Sequence, residues 1–168
     1  MRDATASGLS GRTGWLVLAL SLVVLVAALV VGAMSLRAAT DARAADGDRS
    51  DAVRVAEQFT AEVNNYDAET VEAYQEKVGD LLTTKFRAEF EQAMSDIVTQ
   101  VQEAQMTSEG EVLVSGVSSL DPDSAEVLVV ADAAVTTVFD QRNRHFRWQI
   151  SLVKVDDQWR VDDFVPVL

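Results

Sequence analysis

The 168-residue chain contains no cysteine and a single histidine, His145. Without thiols there is no disulfide framework and no cysteine chemistry, a composition compatible with an exported domain. One histidine and no cysteine also leave no zinc site of ordinary ligand type, so no metal is expected. The chain lacks a Gly-x-Ser-x-Gly elbow, a phosphate-cradling glycine loop and a dinucleotide fingerprint, so no cofactor is expected either. Positive charge is scarce: 14 Lys and Arg stand against 27 Asp and Glu, a net charge of −13. The imbalance sits in residues 51–168, with nine basic against twenty-three acidic side chains. Binding a phosphate backbone needs a basic face, so nucleic acid is excluded as a partner. The same deficit argues against this region lying flat on anionic lipid. It reads as a solvated acidic surface.

What the chain does have is an uncharged run of twenty residues, Trp15 to Met34. At ~1.5 Å per helical residue it spans ~30 Å, the thickness of a bilayer's hydrocarbon core. A cleaved export signal carries an apolar region of only ~7–15 residues, and Ala42-Arg43-Ala44, the one cleavage-like spacing, lies well past the run. A retained transmembrane helix over 15–34 is therefore expected, with the lipid bilayer as its partner. The arginines on its two sides, Arg2 and Arg12 before and Arg37, Arg43 and Arg49 after, do not decide its orientation. The short tail 1–14 and the acidic C-terminal region favour an N-terminus inside and a domain outside the cytoplasmic membrane. Residues 35–50 are expected to form a stalk, either a helical extension or a loose linker. About 118 residues then remain, enough for one small core.

From Asp51 a helical period sets in, with Val55, Phe59, Val63 and Tyr66 on one face. Asp67 suits the N-cap of a second helix, striped by Val71, Tyr74 and Val78 and terminated at Gly79. Phe86, Phe90, Met94, Ile97 and Val101 make the stripe of a third, running to about Ala104. Near Gly110 the period changes to two. Strands are expected over Glu111–Val117 and Glu126–Phe139, then along the alternating Phe146, Trp148, Ile150 and Leu152, and last through Trp159, Val161 and Phe164. Asp121-Pro122-Asp123-Ser124 and Asp156-Asp157-Gln158 are turns by their residue chemistry. The expected fold of 51–168 is α+β: three helices packed on a curved antiparallel four-stranded sheet.

This order of elements resembles the cone-shaped fold shared by nuclear transport factor, ketosteroid isomerases and polyketide cyclases. Together with the apolar span, the chain resembles the mammalian-cell-entry (Mce) associated membrane proteins of actinobacteria. The resemblance is carried by Asn65-Tyr66-Asp67, Leu81-Leu82-Thr83-Thr84-Lys85-Phe86, Glu126 through Asp132 with Val135-Thr136, and Val153 through Val161. Thr83-Thr84 stands where such sequences usually carry Thr-Gly. The resemblance implies a non-enzymatic accessory or scaffold of an Mce-type lipid or sterol import system, with Mce transporter subunits as partners. Two alternatives stand beside it: a lipid-binding module that uses the cone cavity, and a scaffold of a type IV secretion-like assembly.

The cone fold also raises an enzyme reading, because relatives place a carboxylate and a tyrosine in the cavity. Tyr66, Tyr74, Asp132 and Asp140 are the candidates here. Both tyrosines are more simply core residues with a polar tip, and no catalytic residue is expected. Asp121-x-Asp123 lacks the ligands and glycine of a calcium loop. Two non-catalytic features remain. Arg142, Arg144 and Arg147 surround His145 as a docking cluster in an otherwise acidic domain. Ala28 and Gly32, four apart, form a small-residue face on which another membrane helix could pack.

Overall fold

The computed structural model describes residues 11–167, with side chains described for Leu25, for Leu29 to Ser35 and for most residues from Arg37 onward. The tail 1–14 therefore lies mostly outside the described residues, and so do most side chains of the 15–34 stretch, Ala28 among them. Among the described residues no helix is long and apolar enough to cross a membrane. Gly32 has nothing within 4 Å of the position a Cβ would take.

The chain divides into two compact units, one up to Ala44 and one over Ala45–Leu168. A single helix, α1, runs Gly11–Asn64, so residues 35–50 are helical throughout. The second unit contains the end of α1, then β1 (Tyr66–Asp67), α2 (Val71–Gly79), α3 (Thr84–Glu103), β2 (Thr107–Leu120), β3 (Ser124–Thr136), β4 (Gln141–Val155) and β5 (Gln158–Pro166). The strands form one antiparallel sheet in the order β1-β2-β3-β4-β5. The fold is the mixed α+β arrangement expected, with five strands in place of four.

Four local expectations change, one of them the second expected strand, which ends at Thr136 and leaves Phe139 in the connection to β4. Tyr66 is not on the first helix: α1 stops at Asn64, and Tyr66 and Asp67 pair with Ser108 and Thr107 as an extra strand. Asp67 is accordingly not an N-cap. Its Oδ1 accepts the Glu69 N–H at 2.7 Å, and Thr70 takes the cap position without a side-chain bond. The strand after α3 begins at Thr107 and passes through Gly110, because Met106 N–H returns to Val101 O at 2.9 Å and Gln105, at φ 46°, turns the chain into the sheet.

The other reversals follow local chemistry. Thr83 caps α3 by accepting the Phe86 N–H at 3.1 Å. Asp156 and Asp157 both take positive φ, 50° and 60°, the left-handed pair that a two-residue hairpin demands. The β4 alternation is present as expected: Ile150 and Leu152 are buried, Phe146 and Trp148 partly so. Ile150 and Leu152, with Trp148 packed against them, meet Val127, Val129 and Val161 of the sheet and Ala56 and Phe59 of α1 in one core. Each such large apolar side chain contributes about 1.5–3 kcal/mol on burial. Phe164 ties three elements together, edge-on to Phe59 at 5.1 Å, Trp148 at 5.0 Å and Phe86 at 6.1 Å.

Candidate functional site: a polar-rimmed apolar cavity

Directly opposed residues of an antiparallel pair share a face, so the register assigns every side chain of β3 and β4 to one side. Ala125, Val127, Val129, Ala131, Ala133 and Val135 lie opposite Leu152, Ile150, Trp148, Phe146, Arg144 and Arg142. This is the helix-covered face. Asp132 opposite His145 and Val130 opposite Arg147 belong to the other.

The register thus divides the arginine cluster. Arg142 and Arg144 continue the row of Phe146 and Trp148, whereas Arg147 and His145 point to the uncovered face. Arg142 is bound through Nε to Asp140 Oδ2 at 2.7 Å, and the Arg142 guanidinium, with the Gln141 N–H, holds the Asp140 carboxyl below its usual range. Arg144 is exposed and has no carboxylate at ion-pair distance among the described residues.

Between sheet and helices lies a cavity of about 250 Å³. Its apolar wall comes from Val71, Phe90, Met94, Ile97 and Val101 of the helices and from Phe146, Trp148 and Phe164 of the strands. Ile97, on the α3 stripe, is 44% exposed because the middle of α3 stands over this hollow instead of over packed side chains. The polar groups on its wall are Asn64, Tyr66, Tyr74 and Ser108. Ser108 Oγ donates to Asn64 O at 2.7 Å, Tyr66 Oη to Met106 Sδ at 3.3 Å, and Tyr74 Oη to Val63 O at 3.4 Å. Asn64 is 5% exposed and its Nδ2 has no hydrogen-bond partner among the described residues. Burial raises the Tyr74 hydroxyl pKa well above the usual tyrosine value, helped by nearby Tyr66 and Glu62. Burial raises Tyr66 as well, against a Ser108 hydrogen bond and the charge of Arg144.

A second hollow of about 300 Å³ adjoins the first through Val135, which walls both. It is lined by Met106, Phe139, Asp140, Arg142 and Arg144 among others. Of the four residues of the enzyme reading, Tyr66 and Tyr74 reach the cavity. Asp132 does not: it lies on the opposite face with its Oδ1 2.7 Å from His145 Nδ1. Asp140 sits on the β3–β4 connection at the rim of the second hollow. No carboxylate lines the apolar cavity, so no described residue there could act as a general base of that kind. On the uncovered face, Glu111, Asp132 and His145 lie side by side across three strands. Among the described residues no group of His, Asp and Glu is arranged to hold a metal ion.

Sequence reasoning missed Asn64, Ser108 and the polar row they start. The cross-strand pairing that aligns them with Tyr66 exists only once β1 is formed, and a two-residue strand leaves no period to read.

The geometry can be set beside known proteins. The fold is similar to an IcmL-like type IV secretion system protein from Legionella pneumophila, with a TM-score of 0.62 at 11% identity over 72% of this chain and 94% of that one. It is also similar to the periplasmic domain of DotI, with a TM-score of 0.59 at 11% identity over 68% of this chain and 91% of that one. At such identities the likeness is one of fold. In sequence, the chain is 29% identical over 94 residues to the uncharacterized protein Rv1363c of Mycobacterium tuberculosis, covering 54% of this chain and 36% of that protein. The chain thus spans about a third of the length of that relative. A family model matches residues 14–166, from the start of the apolar stretch to the end of β5, and the chain belongs to the family it describes, the uncharacterized Rv1363c/MT1408-like proteins.

Proposed function

We propose that this protein is a non-enzymatic, membrane-anchored scaffold of a multiprotein envelope assembly, built like the type IV secretion components whose fold it shares. The anchor is the uncharged stretch 15–34, the N-terminus is inside, and the Ala45–Leu168 unit is presented outside the cytoplasmic membrane. One observation carries the reading: a continuous apolar stretch precedes a small acidic cone domain, and the same fold occurs in a periplasmic domain and in a type IV secretion protein. Service to an Mce import system, which the sequence resemblance implies, is the narrower version with fewer observations behind it. The contact offered to a partner is the β3–β4 connection, where Val138 and Phe139 are 60% and 89% exposed beside Arg142. Ala28 and Gly32 offer a partner helix a close approach within the bilayer.

The test is cross-linking in native membranes followed by purification of the full chain. Recovery of subunits of one membrane assembly, lost in a Phe139→Asp, Arg142→Glu double variant, is the expected result. Secretion-type subunits and Mce-type subunits are told apart by their identity in the eluate. A chain that cross-links only to itself, or binds the same partners after the double substitution, defeats the reading. A C-terminal alkaline phosphatase fusion should be active, and an inactive fusion beside a fluorescent cytoplasmic reporter would reverse the orientation.

A further inference from the structure

The two adjoining hollows have an ordered polarity. Along the covered face of β4, alternate residues read Arg142, Arg144, Phe146 and Trp148. At ~3.4 Å per residue, roughly 14 Å of strand separates Arg144 from Trp148. Across the strands, the same cationic end carries polar groups in two rows. Tyr66, Ser108, Val135 and Arg142 are successive cross-strand partners, as are Gly110, Ala133 and Arg144, with Asn64 seated against Gly110. The far end is purely apolar, built on Phe90, Met94, Trp148 and Phe164. The cavity therefore runs from a cationic, hydrogen-bonding rim to an aromatic floor.

We propose that this cavity binds a single-chain amphiphile with an anionic head, its apolar chain lying along Phe146 and Trp148 and its head held at Arg144. Three observations carry this. Arg144 is a cation with no carboxylate at ion-pair distance among the described residues, on the cavity's own face. Asn64, nine-tenths buried, is a polar residue of the cavity wall, and its amide N–H group has no acceptor among the described residues. The 250 Å³ chamber lies just below the ~300–1,000 Å³ of ordinary ligand pockets, a size that suits one medium-length apolar chain. Arg144 itself lines the second hollow, at the rim. The cationic end of the site borders the proposed partner contact through Phe139 and Arg142. Arg144, which that contact does not use, separates the two, and the ligand adds to the scaffold role something the domain would carry or sense.

The experiment uses the full chain in native mass spectrometry, with octanoate as probe and octanol and acetate as comparators. One octanoate per chain is expected, with weaker octanol binding and no acetate binding at equal concentration. Arg144→Gln, an exposed change, should weaken octanoate about tenfold by removing one charge-assisted hydrogen bond and leave octanol unchanged. Met94→Trp, which fills the wall from a half-exposed helix face, should abolish both, with folding checked by circular dichroism. Absence of a one-to-one octanoate species overturns the proposal. Undiminished octanoate binding by Arg144→Gln overturns the assignment of the head, and acetate binding as well as octanoate would reduce the site to a surface anion contact.

Discussion

Replacing Gly110 by alanine tests how the end of α1 is locked onto the sheet. A Cβ at Gly110 would lie 2.5 Å from Asn64 Cβ, 3.1 Å from Asn64 O and 3.3 Å from Asp132 O. Neither neighbour is free to retreat. Asn64 is 5% exposed and its carbonyl accepts the Ser108 hydroxyl. The adjacent Asn65 grips Gly110 from both sides, its Nδ2 donating to Gly110 O and its Oδ1 accepting the Gly110 N–H, each at 2.9 Å. Overpacking of this kind costs about 1–3 kcal/mol, and each hydrogen bond stretched in the adjustment adds up to ~1 kcal/mol. The stiffer unfolded chain returns ~0.5–1 kcal/mol. Gly110→Ala should therefore destabilise the domain by about 1–3 kcal/mol. Gly116, on the same strand, has nothing within 4 Å of its Cβ position, so Gly116→Ala should be neutral or stabilise by up to ~1 kcal/mol. Urea unfolding of the full chain, followed by tryptophan emission, reads both, with the midpoint moving and the slope unchanged. A Gly110→Ala variant as stable as the parent, or equal shifts in the two variants, would refute the steric argument.

Other outcomes follow from the same contacts. Thr83→Ala removes the α3 cap and the 2.8 Å hydroxyl bond to Asp162 Oδ1, so it should cost about 1–2 kcal/mol in the urea assay, with Thr83→Ser recovering most of it. Phe164→Ala removes three edge-on aromatic contacts and should cost about 2–4 kcal/mol, somewhat below the ~3–5 kcal/mol of a fully buried phenylalanine because the ring is only partly buried. The chain has two tyrosines, and burial raises both hydroxyl pKa values in the fold. Because the folded state holds these protons more tightly, the stability they contribute is present below pH ~10 and is lost as pH rises through and above that value. An ultraviolet phenolate titration should show Tyr74 ionising last and only near alkaline unfolding. Ordinary titration of both groups in the folded chain would contradict their burial.

The strongest periods in the sequence became the strongest elements. The Phe86-to-Val101 stripe and the β4 alternation are each set by one buried face, and a one-residue slip would expose a whole set of aromatics. What escaped was set by contacts between distant segments. Tyr66 fits the α1 stripe by spacing, but its backbone pairs with Ser108, forty-two positions on. The arginine cluster is adjacent in sequence and divided in space: the β4 alternation already puts Arg147 with His145 on the wet face, and the register with β3 adds that Arg142 and Arg144 lie on the covered one. Asn64 and Ser108 are ordinary polar residues until Gly110 lets the helix end approach the strand. The apolar stretch 15–34 is legible from composition alone, while among the described residues no helix is long and apolar enough to cross a membrane.

The register shifts in β2 bear on how copies of this protein tolerate one another at close quarters. β1 covers only Thr107 and Ser108, so among the described residues most of β2 has no partner strand along its outer side. A straight border of free N–H and C=O groups would template the same border of a neighbouring molecule. β2 instead breaks step between Val112 and Val114 and again between Val117 and Ser119. Bulges bend a strand and sharpen its twist, while Glu109 and Glu111 add like charge near the stretch that would have to align. Copies of the protein brought close together then meet an irregular, negatively charged margin, and strand-by-strand polymerisation is discouraged by the backbone itself.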